Sequence, residues 1–381
     1  MQLIIIVTIV TMMGGSVISP ALPAIQQAFI IETSKIGLLM TAFSLPGIIS
    51  IPIAGIMTDR FGRQKVIVPM LLLYSIAGSL CFFAPNFEVL LLLRFLSGLG
   101  AGSLATLSLI LIGDLFNDKE QKEALGYRTS FGYFSNGILP IFGGFLAVIS
   151  WNYPFLLFLL GIPISLMAMA VLVNEKIDNQ STIKEYLIEV GRGLSNVRTA
   201  SLLTIAPTLM MINQGILATF LPIYIGSKFG VSASIIGIII STRVIAGSLI
   251  AFFMGKLTEI VKEEWLLISS MIVLAITIIF IPFVTSVWFM IGPVMFMGFA
   301  LGVSFPAFQS LLISEAPKEL RAGVMSANGV TNRMGQAAGP IIAGALYATG
   351  GFKAVFFGAS LFLLAMIIFL TINFRNHIST R

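Results

Sequence analysis

Four arginines, Arg94, Arg128, Arg243 and Arg333, stand within or beside stretches of sequence that otherwise carry no charge. Amides lie near them or recur in similar stretches: Asn136, the Asn213–Gln214 pair, Asn332 and Gln336. A guanidinium offers a planar fork of donors that a carboxylate or a similar group can engage through two bonds, a geometry lysine cannot copy. No Asp or Glu interrupts the long apolar stretches, so the surroundings of these arginines are neutral to positive and suit neutral or anionic ligands better than cations. Other chemistries are poorly supplied. The chain has one cysteine, Cys81, in an apolar run, and one histidine, His377, near its end, so neither a disulfide nor a Cys/His metal site is expected. The nucleophile, acid–base pair or metal cluster of an enzyme is missing, as is the G-x-x-x-x-G-K-[ST] loop of an ATP-driven machine. A second concentration of charge is the stretch GIMTDRFGRQK, Gly55 to Lys65, with Asp59, Arg60, Arg63 and Lys65 in eleven residues.

The elements that position these groups follow from composition. Of 381 residues, 57% are hydrophobic and 10% charged, against roughly 25% charged in a soluble domain. With a mean hydropathy of +1.02, this is an integral membrane protein, and no segment outside its apolar runs is long enough for a soluble output domain. A helical span needs about 20 apolar residues. Such windows occur near 3–28, 34–57, 66–84, 89–113, 124–149 and 153–173, and, after a polar stretch over 174–198, near 200–225, 232–255, 265–284, 287–313, 322–349 and 353–374. The expected organisation is an all-α membrane protein: a six-helix bundle over 1–173, a linker over 174–198, and a second bundle over 199–381. Placing the N-terminus inside puts fifteen Lys and Arg in inside loops and the tail, and leaves three outside, Lys35, Lys228 and Lys353. That bias sets both termini in the cytoplasm and explains the net charge of +6 without nucleic acid.

The two halves repeat. At an offset of 200 residues Gly37, Gly47, Gly55, Gly98, Gly102 and Gly144 meet glycines, Pro140 meets Pro340, and Thr58–Asp59 meets Thr258–Glu259. Parallel repeats of six helices form similar bundles about an axis along the membrane normal, with the substrate site at the repeat interface.

Three motifs carry a resemblance. The loop G-x-x-x-D-R-x-G-R-x-K between the second and third spans resembles the signature loop of the major facilitator superfamily. RFLSGLGAG, Arg94 to Gly102, resembles its fourth-span motif. GYRTSFGYFSNGILPIFGG, Gly126 to Gly144, resembles the fifth-span motif of the drug and metabolite antiporter branch, keeping Gly126, Pro140, Gly143 and Gly144 but placing Ser135 and Leu139 where glycine is expected. A second-half copy, GQAAGP, ends in Gly339–Pro340.

The resemblance implies a secondary transporter working by alternating access in a plasma membrane, bacterial by branch. It implies efflux of a drug or metabolite in exchange for protons, in a monomer with no cofactor and no metal. An uptake or facilitative carrier without proton exchange is the alternative, kept open because the antiporter branch commonly places an acid within its spans. In the signature loop Gly55 allows a close helix approach and Gly62 a turn closed to other residues. Asp59 faces the start of the eleventh span, where unpaired N–H groups stabilise an acid. With Arg63 and Asp114 it forms a latch on the cytoplasmic side, while Arg60 and Lys65 serve as positive-inside charge. Arg94, on one helical stripe with Gly98 and Gly102, is by resemblance a coupling or substrate-gating residue. Arg128 sits close enough to the boundary to snorkel and is structural. Arg333, flanked by Asn332 and Gln336, and the Asn213–Gln214 pair face the cavity. Arg243 is either a coupling group or a buried donor to backbone carbonyls. Ser16 joins helices, and Asn136 and Tyr224 are further polar candidates.

Overall fold

A computed structural model describes residues 1–171, 191, 197–316 and 321–378. The expected linker over 174–198 therefore lies almost wholly outside the described residues. Among the described residues all regular structure is helical, as expected for apolar segments that must satisfy every backbone N–H and C=O within themselves. Eleven helical runs are long and apolar enough to cross a membrane: Gln2–Ala28, Thr33–Ile51, Arg63–Phe83, Phe87–Gly113, Glu123–Ile149, Tyr153–Val171, Ala200–Phe229, Ala233–Phe252, Glu263–Phe283, Trp288–Glu315 and Gly323–Ile372. The last holds 50 residues, enough for two passes at about 1.5 Å per residue. It breaks at Gly350 (φ −159°, ψ 26°) and Gly351 (φ 63°, ψ −155°), which gives the twelve spans that the sequence predicts.

Local chemistry punctuates these helices. The Asn86 side chain accepts from the Val89 N–H at 2.9 Å and starts the fourth span. Gly230, at φ 62° and ψ 24°, closes the seventh in the left-handed conformation that glycine adopts without strain. Gly62, at φ 87° and ψ 158°, is the single residue between the helices Gly47–Phe61 and Arg63–Leu80, the sharp turn expected of it. The seventh span holds a feature that periodicity did not announce. Over Ile212–Phe220 it winds as a π-helix, and Thr219 Oγ1 donates to the Gln214 carbonyl five residues back at 2.6 Å.

The chain forms two compact units that follow its halves apart from two short segments. One comprises Met1–Glu32, Leu38–Glu185 and Ser232–Gly237; the other comprises Thr33–Gly37, Tyr186–Val231 and Ile238–Arg381. Close packing at glycines accompanies this exchange. The Gly37 Cα lies against the Pro340 carbonyl within the second unit, and Gly237 against the Pro140 carbonyl within the first, with no room for a Cβ at either.

Inside each unit the same packing recurs at the 200-residue offset. A Cβ on Gly98 would fall on the Phe43 carbonyl, and one on Gly298 on the Arg243 carbonyl. Gly102 lies against Gly47, and Gly302 against Gly247. Gly143 rests on Val17, Gly144 on Ala233 and Gly344 on Ser34, while Gly339 rests on Met211 and Gly215. Two glycines depart from expectation: nothing among the described residues lies within 4 Å of where a Cβ would stand on Gly55 or Gly126. The close helix approach expected of Gly55 is therefore not seen among the described residues.

The backbone contact at Gly298 yields a stability prediction. Gly298→Ala must push the eighth and tenth spans apart, and overpacking of this kind costs about 1–3 kcal/mol. Gly292→Ala, in the same helix with no heavy atom within 4 Å of its Cβ position, should be neutral or slightly stabilising. Thermal unfolding of the two purified variants in one detergent tests this; equal midpoints would refute the packing argument.

Candidate functional site

The arginines occupy distinct settings. In the first unit Arg94 is 0% exposed. One terminal nitrogen, Nη2, donates to the Gly14 carbonyl at 2.5 Å. The guanidinium lies over the Phe43 ring, 4.2 Å from its centroid, while Nε and Nη1 have no hydrogen-bond partner. A Cβ on Gly14 would strike the same Phe43 ring, so glycine is what lets the first, second and fourth spans meet around this cation. Arg94 therefore borders no open cavity; it ties three helices together. Sequence reasoning missed Gly14 and Phe43, and the signal was present in the glycine stripe from Arg94 through Gly98.

Asn136, expected to line a cavity, is partly buried and joins two helices. Its Oδ1 accepts from Ser16 Oγ at 2.5 Å and its Nδ2 donates to Met12 Sδ at 3.3 Å, tying the fifth span to the first. Arg128 Nε donates to the buried Ser108 Oγ at 2.9 Å, in keeping with a structural role. Tyr224 is buried in packing: its hydroxyl meets the Ile281 and Pro282 carbonyls, accepts from Lys228 Nζ at 2.7 Å, and its ring lies edge-on to Phe352 and Phe356.

The second unit gathers the remaining polar groups. Arg243, at the middle of Ala233–Phe252, donates from Nη1 to Asn213 Oδ1 at 2.5 Å. Its Nε is buried without a partner among the described residues, yet the residue as a whole is only partly buried. Asn213 and Gln214 lie at the start of the π-helix and are partly buried too. On the eleventh span Arg333 Nη1 donates to Gln336 Oε1 at 3.2 Å, and Gln336 Nε2 reaches Met210 Sδ at 3.5 Å, one turn before Asn213. Asn332 Nδ2 donates to Asn328 Oδ1 at 3.3 Å, leaving its own Oδ1 buried and unpaired. Gly335 against Pro207, and Gly339 against Met211, bring the seventh and eleventh spans together here. Of the two readings open for Arg243, the backbone-carbonyl donor is not what the structure shows; its acceptor is a side chain.

At the signature loop, Gly62 and Arg63 begin the third span, and Arg60 is exposed with its guanidinium 5.4 Å from the Phe61 ring centroid. Lys65 is exposed. The latch itself falls outside the described residues, because the side chains of Asp59, Asp114 and Arg321 are not among them. Among the described residues no group of three His, Cys, Asp or Glu side chains could hold a metal ion.

The sequence matches the model of the Major Facilitator Superfamily over residues 4–194 and 203–378, nearly the whole chain. The chain belongs to that superfamily. As a major facilitator protein it is a multi-span membrane transporter and not an enzyme. Its relatives include the bacillibactin exporter of Bacillus subtilis, 26% identical over 96% of this chain and 94% of that one. They also include the quinolone resistance protein NorA of Staphylococcus aureus, 27% identical over 88% and 86%. A solved POT family transporter, in complex with 5-aminolevulinic acid, shares the fold at a TM-score of 0.81 and 15% identity, covering 97% and 95% of the two chains.

The Arg94 setting yields a second prediction. A buried cation without an acid gains little stability from its charge, and apolar replacements of buried charges are often neutral or stabilising. Arg94→Met should therefore insert and keep its thermal midpoint within a few degrees, yet lose transport. Arg94→Lys should lose transport too, since ammonium cannot stack flat on Phe43 while reaching Gly14. Flux in proteoliposomes beside thermal unfolding decides it: full transport by either variant would show that the tie Arg94 makes is not needed for transport.

Proposed function

We propose that this transporter exports a small neutral or anionic drug or metabolite across the bacterial plasma membrane, by alternating access and in exchange for protons. The observation that carries the substrate class is electrostatic. Acidic residues of the apolar spans fall only at their ends, at Glu88, Glu123, Glu263, Glu264 and Glu315, whereas Arg94, Arg243 and Arg333 stand within. An ionised group at mid-bilayer costs at least ~2.5–3.5 kcal/mol on insertion scales, so such arginines persist where they face a partner or a ligand. A lipophilic cation entering this field meets like charge and finds no counter-ion. The export direction draws support from relatives named for export and for drug resistance. Both termini lie in the cytoplasm on the Lys and Arg distribution. The substrate, protons and the bilayer are the partners, and the working form is a monomer of two bundles joined by the 174–198 linker. A facilitative carrier without proton exchange is the second reading, favoured specifically by the lack of an acid at mid-span to carry the proton.

The closing latch belongs to the same proposal. Asp59, with Arg63 and Asp114, holds the cytoplasmic side shut, and opening inward breaks it.

Two measurements test these readings. In inside-out vesicles with an imposed pH gradient and a fluorescent proton reporter, naphthoate-like anions and neutral aromatic compounds should be taken up and dissipate the gradient, and ethidium-like cations should not. Strong ethidium transport would overturn the substrate class; anion uptake unaffected by collapsing the gradient would favour the carrier reading. Asp59→Asn should insert normally and lose most transport, and wild-type flux by a well-expressed variant would sink the latch.

A further inference from the structure

We propose that Arg243 and Asn213 form the subsite that takes the substrate's anionic group, a carboxylate or comparable planar oxyanion. The inference rests on the anionic-substrate reading above and gives it a place inside the second unit.

The internal repeat supplies the first argument. Gly98 packs on the Phe43 carbonyl, and Gly298 packs on the Arg243 carbonyl, so one helix crossing is built twice. At the first crossing the cation, Arg94, is on the fourth span and the ring, Phe43, on the second. At the other, Arg243 takes the position equivalent to Phe43, and Val294 takes that of Arg94. The cation has changed helix, and the ring that covers Arg94 has no counterpart at the equivalent position.

The consequence is an asymmetry of access. Arg94 is sealed, with its face on Phe43 and an end on the Gly14 carbonyl. Arg243 is only partly buried, and its hydrogen bond among the described residues uses a single terminal nitrogen, Nη1, on Asn213 Oδ1. The other edge of the fork, Nε with Nη2, is the edge that pairs with a carboxylate through two parallel bonds. Nε there is a buried donor without an acceptor, which a bound oxyanion would satisfy.

The seventh span supplies a second, independent argument. Asn213 lies in the first turn of the π-helix Ile212–Phe220, a form that occurs mostly as short interruptions and frequently at functional sites. With its oxygen engaged by Arg243, the Asn213 amide nitrogen is left as a donor. Met210, one turn earlier, holds Gln336, which in turn holds Arg333. The eleventh span thus anchors on the turn before Asn213, and no acid lies within the seventh, eighth or eleventh spans to compete for Arg243.

The test uses purified full-length protein in nanodiscs and two matched probes, 1-naphthoate and 1-naphthamide, with affinity measured by calorimetry. Wild type should prefer the carboxylate by about tenfold or more, the scale of one charge-assisted hydrogen bond. Arg243→Gln should remove that preference while leaving naphthamide binding unchanged, and Arg128→Gln should keep it. Should Arg243→Gln fail to fold, Asn213→Asp serves in its place: it puts an acid against the guanidinium, keeps the charge balance favourable, and should abolish naphthoate binding by internal competition. A naphthoate preference that survives Arg243→Gln, or naphthoate binding that survives Asn213→Asp, would overturn the subsite while leaving the anionic reading intact. A wild type with no preference for naphthoate would also overturn the subsite, and export of ethidium-like cations from vesicles would overturn the anionic reading with it.

Discussion

At several helix crossings in this protein, a backbone carbonyl of one helix rests on a glycine Cα of the other. The Phe43 carbonyl on Gly98 and the Arg243 carbonyl on Gly298 are the central examples. In lipid no hydrophobic force draws apolar helices together, because hydrocarbon surrounds them already; close van der Waals packing and interhelical hydrogen bonds must do so. Side chains at these points would hold the helices apart and undo both. The polar groups depend on the same contacts. Arg94 reaches the Gly14 carbonyl because Gly14 leaves space for Phe43 beneath the guanidinium, and Gln336 reaches Met210 because Gly335 and Gly339 bring the eleventh span onto the seventh.

That constraint bears on what the arginines do. A buried guanidinium has five N–H donors, and the hydrogen bonds given to Arg94 and Arg243 use one nitrogen of each. Inside a soluble core such a deficit would be corrected by a carboxylate. Here the spans offer amides, carbonyls, sulfur and an aromatic face instead. Each is weaker than an ion pair, so each can be exchanged for a ligand or for another helix arrangement without exposing an orphaned acid. For a transporter, whose helices must rearrange, a cation held by neutral partners is easier to release than one locked in a salt bridge whose rupture is strongly destabilising.

Much of this was legible in the sequence because its signals are long or strict. Twelve spans follow from runs of about 20 apolar residues, and the repeat from glycines in a fixed register, so errors at single positions averaged out. Gly62 was legible for the opposite reason: one residue between two helices leaves few ways to turn. What escaped was set by neighbours far along the chain. Gly55 resembles a packing glycine in every local respect but borders open space among the described residues, and nothing in its own helix distinguishes it from Gly98. Asn136 reads as a cavity residue until Ser16, 120 positions away, takes its oxygen. The π-helix needs one residue more per turn than the pattern of apolar positions reveals, and Phe43 reads as one phenylalanine among 31 until Arg94 is set above it.

The repeat is most informative where it fails. A duplicated bundle begins with two equivalent crossings, and strict symmetry would give both the same chemistry. At positions 43 and 243 the chain places a ring in one and a cation in the other; at 94 and 294 it places a cation and a valine. The backbone contacts survive the exchange, since glycine 98 and glycine 298 do not depend on what projects from the facing helix. Packing and chemistry have therefore separated. The glycines keep the same crossing in both bundles, while the side chains there make one cation a fixed tie and leave the other partly open beside a loosened turn of helix.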